Sequence, residues 1–191
     1  FPVDGGPSSA TAAIARRPLM TDLDQLFRSH PFIATLSDDH ITTLQSCGAA
    51  LLTFEPGDKI MTEGGKADTC FFIDDGDVAL EMYVGGGKSR TVQTVHGGDI
   101  VGWSWLIPPY QRAFDATALT RVTALRVDAV LLRETMERDK AFGYEMMKRF
   151  CDVIVSRLDA SRIRLIDMYG PGDVELRTQS LRARGRRGLA R

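Results

Sequence analysis

Cysteine is scarce in this chain. Cys47, Cys70 and Cys151 are far apart and odd in number, which excludes a full disulfide framework. No C-x-x-C spacing suggests zinc or an iron–sulfur cluster. Histidine is equally sparse: His30, His40 and His96 are dispersed and none belongs to an H-x-H pair. Metal-dependent catalysis in double-stranded rolls needs His/His/carboxylate sets, and none is present. Ser104 stands in G-W-S-W-L, without the second glycine of a G-x-S-x-G elbow or a nearby His with its carboxylate. Catalytic residues, a metal and a cofactor are therefore not expected, and the chain reads as a non-enzyme.

Charge of one sign is lacking too. Lys and Arg number 24 against 25 Asp and Glu, a net charge of -1, which gives no global reason to bind nucleic acid or a membrane surface. No apolar run approaches the ~20 residues of a membrane-spanning helix. The start has no basic stretch leading into an apolar core, as a secretory signal would. A reducing, cytoplasmic location is the simplest expectation.

What is present is ordinary globular material: 191 residues, 43% hydrophobic and 26% charged, enough for one domain with appendages. Residues 1–19 are rich in Pro, Gly, Ser and Ala without periodicity. They read as a disordered natural extension or an expression scar ahead of Met20, the composition favouring the scar. The domain is expected over 20–170. Ser37 before Asp38 and Asp39 marks a helix start, with Ile41 and Leu44 inside and Gly48 as the stop.

After Gly48 the period changes to two. Segments 51–54, 60–61, 70–73, 78–84, 91–95, 100–101, 114–119 and 123–127 are short and β-compatible. Turn signals such as Pro56-Gly57-Asp58, Asp75-Gly76-Asp77 and Gly97-Gly98-Asp99 separate them. Val78, Leu80 and Met82 alternate with Ala79, Glu81 and Tyr83, giving a sheet two distinguishable faces. The pattern predicts a mainly β protein with flanking helices: an eight-stranded antiparallel β-roll or jelly roll over about 49–127. Asp128 caps a short helix, and a long C-terminal helix follows over about 140–169. In it Phe142, Met146, Phe150, Ile154 and Leu158 recur at i+4. Gly170-Pro171-Gly172 is expected to stop it, leaving 171–191 as a basic disordered tail. The surplus apolar stripe on the long helix predicts pairing with a second copy of the chain.

The stretch Phe54-Glu55-Pro56-Gly57-Asp58-Lys59-Ile60-Met61-Thr62-Glu63-Gly64 resembles the first strand pair of the cyclic-nucleotide-binding domain. Phe71-Phe72-Ile73 with Gly76-Asp77-Val78, and Gly98-Asp99-Ile100-Val101-Gly102 with Leu106, resemble the same family at its spacing. The resemblance is to catabolite-activator-type regulators and covers about 26–169. It implies a stand-alone sensor that takes a cyclic nucleotide or another small anion in its roll. Gly102, Trp103, Ser104, Trp105 and Leu106 would form the phosphate-binding cassette, followed by Arg112, Ala113 and Phe114. It further implies signalling through the C-terminal helix, a homodimer, and a separate effector protein; with only 171–191 after that helix, direct DNA binding is not expected.

The cassette departs from the family's pattern. Where the family places a Glu for the ribose hydroxyl, this chain has Trp103, and indole offers only a donor. Where Arg is followed by Ser or Thr and then Ala, this chain has Arg112-Ala113-Phe114. A register shifted by two reads Phe114-Asp115-Ala116, with an anion instead of a cation; Asp115 is otherwise a solvated strand residue or a partner for Arg112. The other functional reading is a ligand-free interaction scaffold whose pocket Trp103, Trp105 and Phe114 fill.

Overall fold

A computed structural model describes residues 20–86 and 89–187, so the expected extension over 1–19 lies outside the described residues. They divide into two compact units, one running to Tyr144 and one from Glu145. The first opens with α1 (Met20–Ser29) and α2 (Asp38–Ser46). The Ser37 hydroxyl accepts from the His40 N–H at 3.3 Å, the expected N-cap.

Eight strands follow: β1 (Ala50–Phe54), β2 (Lys59–Met61), β3 (Thr69–Asp75), β4 (Val78–Tyr83), β5 (Ser89–Val95), β6 (Ile100–Val101), β7 (Asp115–Ala118) and β8 (Val122–Asp128). They form two four-stranded antiparallel sheets, ordered β1-β8-β3-β6 and β2-β7-β4-β5. Pairing is nested: β1 with β8, β2 with β7, β3 with β6, β4 with β5. This is the predicted roll, with strand ends within two residues of expectation.

The period-two alternation sorts the side chains. Ile60, Met61, Phe71, Ile73, Val78, Leu80, Val95, Val101, Ala116, Ala118, Val122 and Ala124 form one buried cluster between the sheets. Their neighbours Cys70, Phe72, Leu125 and Val127 are buried on the opposite face of the first sheet. There Phe72 meets Phe32 (ring centroids 5.4 Å apart) and His30 (5.5 Å, edge-on), which lie just after α1. Burial pushes the His30 imidazole below its ordinary value, opposed in part by the backbone of Asp99 and Ile73.

Asp128 caps α3 (Ala129–Arg138) as expected, its carboxylate accepting from Val130 (3.0 Å) and Leu131 (2.9 Å). Helix α4 then runs over Lys140–Arg187. This corrects the expected stop near residue 169 and the disordered tail after it: the backbone stays helical through Gly170-Pro171-Gly172. Proline removes one N–H donor, a cost of about 3 kcal/mol, and each glycine about 1 kcal/mol. The Glu, Leu, Arg, Gln and Ala residues beyond are sound helix formers, so the helix continues after the interruption. Residues 188–191 lie outside the described residues.

Candidate functional site

The site is built where the chain crosses from β6 to β7. Phe71 pairs with Val101 and Phe72 with Ile100, which fixes β6 on the edge of its sheet. Gly102 then turns the chain away with φ +85. A Cβ there would lie 2.9 Å from the Thr69 carbonyl oxygen and 2.9 Å from the Met61 sulfur, so the backbone approaches closely enough that only glycine fits. Trp103, half-buried, leads into a 3-10 turn over Ser104–Leu106, closed by the Leu106 N–H donating to the Trp103 carbonyl at 3.2 Å. Ser104 and Leu106 are half-buried, and Trp105 is fully buried. Ile107, Pro108 and Pro109 form an exposed lip with a cis bond between the prolines.

Arg112 closes the segment. Its N–H donates to Gly65 (2.9 Å) and its carbonyl accepts from Gly64 (2.8 Å). Its side chain is only 11% exposed: Nε donates to the Lys66 carbonyl at 2.7 Å, and Nη2 to Asp68 Oδ1 at 3.1 Å. Burial alone would raise the Asp68 carboxyl, but hydrogen bonds from the Thr69 hydroxyl and Arg112 outweigh it and hold Asp68 below its ordinary value. Gly102 packs on Thr69 while Arg112 grips Lys66 and Asp68. Gly102 and the Arg112 guanidinium therefore converge on four consecutive residues, 66–69, at the entry to β3.

The remaining expected site residues separate. Ala113 is exposed. Phe114 is half-buried and packs with Leu52 and Phe54 against the inter-sheet cluster. Of the three residues that the scaffold reading uses as a plug, only Phe114 touches that cluster; Trp105 is buried outside it, with its carbonyl accepting from Arg133 at 3.3 Å. Asp115 is not Arg112's partner. Lys59 Nζ (2.8 Å) and the Glu63 N–H (2.7 Å) hold it at the β2–β7 edge, and in that order they lower its carboxyl below the ordinary value.

Sequence reasoning missed Asp68, whose role depends on a contact far along the chain, and Gln93 opposite Leu80. Leu80 pairs with Gln93, so Gln93 shares the inward face that Leu80 defines. The alternation in β5 carried that signal, blurred by the irregularity between Leu80 and Glu81.

Residues 51–139 match the family model of the cyclic nucleotide-binding domain, over the stretch that holds the roll and this site. Over those residues the chain carries a cyclic nucleotide-binding domain. Its domain is similar to a putative cyclic nucleotide-binding protein from Geobacter metallireducens GS-15, at 29% identity and TM-score 0.63 over 71% of this chain and 97% of that one. A cyclic nucleotide-binding domain from Methylobacillus flagellatus shares the fold at 16% identity and TM-score 0.64, over 78% and 83% of the two chains. So does the catabolite activator protein of Thermus thermophilus, at 17% identity and TM-score 0.57, of which this chain spans 63% while 73% of its own length is covered. No curated protein matches the chain. Cyclic nucleotide-binding domains are regulatory modules, and this roll is one of them. Among the described residues no helix is long and apolar enough to cross a membrane, and no group of three or more His, Cys, Asp or Glu residues is placed to hold a metal.

Proposed function

We propose that this domain is a sensor that holds a cyclic nucleotide by its phosphate at Gly102–Leu106 and Arg112. Occupancy is relayed through α4 to a second copy of the chain, without catalysis. The observation that carries the reading is the convergence of Gly102 and Arg112 on residues 66–69. A phosphate diester wants a guanidinium plus neutral N–H donors, and that is what the two provide. Arg112 is already fixed by Asp68 and Lys66, so it is oriented before a ligand arrives. Trp103 supplies no acceptor for a ribose hydroxyl, which weakens ribose recognition by about 1–3 kcal/mol. Its indole face suits stacking on a base.

The second copy is supported by α4 itself. Met147, Cys151, Ile154, Leu158 and Leu165 recur at alternating four- and three-residue steps or their sum, the spacing of a coiled-coil seam. Met147, Leu158 and Leu165 are 42%, 49% and 53% exposed, and Cys151 is exposed.

Calorimetric titration with cyclic AMP, cyclic GMP and a cyclic dinucleotide tests the binding. Heat is expected with at least one of them. Arg112→Ala should weaken it by about 2–4 kcal/mol while leaving the fold intact. A folded wild-type chain that binds none of them would overturn the sensor reading in favour of a scaffold.

A further inference from the structure

We propose that Arg133 is the positioning residue that couples the cassette to α3, so that the two segments move as one. Its guanidinium makes two different contacts with the cassette. Nη1 donates to the Trp105 carbonyl at 3.3 Å, and the Cζ atom lies 4.2 Å from the centroid of the Tyr110 ring. Trp105 and Tyr110 flank the exposed lip at Ile107–Pro109, so one side chain from α3 holds both ends of that lip.

Each held end has a reason to need holding. Tyr110 stands at φ 57, a conformation that a bulky side chain adopts only where its surroundings impose it. The Tyr110 carbonyl accepts from the Ala67 N–H at 2.9 Å, within the segment that Arg112 and Gly102 share. The start of α3 is tied to that segment as well, since the Ala129 N–H donates to the Asp68 carbonyl at 3.0 Å. Leu132, beside Arg133, is fully buried and anchors this stretch of α3 to the core. A path of direct contacts thus runs from Arg112 through Asp68 and Ala67 to Tyr110, Arg133 and α3. Lysine at 133 would keep the charge but lose the planar fork that stacks and donates at once.

The inference rests on the reading that a ligand docks at the cassette, but its first test needs none. Backbone hydrogen exchange is measured on the ligand-free full chain for wild type, Arg133→Lys and Arg133→Met, the last keeping the apolar stem. Exchange over 103–110 and over 130–138 should rise together by about tenfold in the Met variant, while the strands stay protected. The Lys variant should fall between. Tyr110→Asn, which tolerates the same backbone conformation, should shrink the effect that Arg133→Met then has on α3. Two results would overturn the proposal: a rise in only one segment, or a uniform rise through the roll, which would mark Arg133 as merely structural. Titration with cyclic AMP and cyclic GMP adds the linked measurement. Where wild type binds either, the cassette and α3 should change protection together, and in Arg133→Met only the cassette should respond. A wild type that binds neither defeats the functional reading, and the ligand-free exchange still decides the coupling.

Discussion

Replacing Gly102 by alanine puts the close approach at the cassette to a quantitative test. Two costs add. Holding a non-glycine residue at φ +85 costs about 1–2 kcal/mol. Alanine's lower chain entropy in the unfolded state returns about 0.4–1 kcal/mol of that. The new methyl would also stand 2.9 Å from the Met61 sulfur and 2.9 Å from the Thr69 carbonyl oxygen. The thioether can swing away, but the carbonyl belongs to β3 and cannot, so overpacking adds about 1–3 kcal/mol. The net loss is about 2–4 kcal/mol, or a fall of about 5–12 °C in melting temperature for a chain of this size. Gly57→Ala is the control, because φ is +93 there and nothing lies within 4 Å of the added Cβ. It should cost only the backbone part, about 1 kcal/mol. Differential scanning calorimetry on both variants decides the matter. Equal shifts would refute the steric argument, and an unchanged melting temperature in Gly102→Ala would refute the geometry of the turn.

The other predictions concern pH and assembly. His30 is 2% exposed and burial lowers its pKa from 6.5, so below that value the unfolded chain takes up a proton that the folded chain refuses. Stability should therefore fall as pH drops through the window from 6.5 down to the folded pKa, and His30→Gln should flatten the slope of melting temperature against pH between about pH 7 and 5. A slope that survives the substitution would place the proton uptake elsewhere. On α4, light scattering of the wild type at micromolar concentration should give a mass above the 21.1 kDa of one chain, and Leu158→Glu should return it to that value. A wild-type mass of one chain at every concentration would remove the dimer.

The roll was legible because its inward residues alternate and its turns fall on glycines and prolines, so strand and turn signals agreed. Val78, Leu80 and Met82 announced a face, and the structure puts the first two in the inter-sheet cluster. The partner of Arg112 was not legible. Asp68 sits before β3 with no pattern around it, and only the meeting of the β2–β3 connection with the segment after the cassette brings them to 3.1 Å. Asp115 misled for the same reason: its neighbour in space, Lys59, is set by the β2–β7 pairing, which no local window contains. The length of α4 was misjudged because Gly170-Pro171-Gly172 is a strong local stop signal, and a local signal of a few kcal/mol loses to a helix that is already propagating.

The nested pairing of the strands also dictates an order of events at the ribosome. Among the strands of the described residues, only β4 and β5 are neighbours both in sequence and in their sheet, so that pair closes the shortest loop. Each pair outside it closes a longer one, and β1 finds β8 last of all. While synthesis proceeds, the apolar strand Ala50–Phe54 has left the tunnel with no partner to cover its edge, and it stays so until residue 128 follows. Contacts so distant along the chain make folding slow, and the waiting strand is the part of this protein most exposed to capture by a chaperone or by another nascent copy.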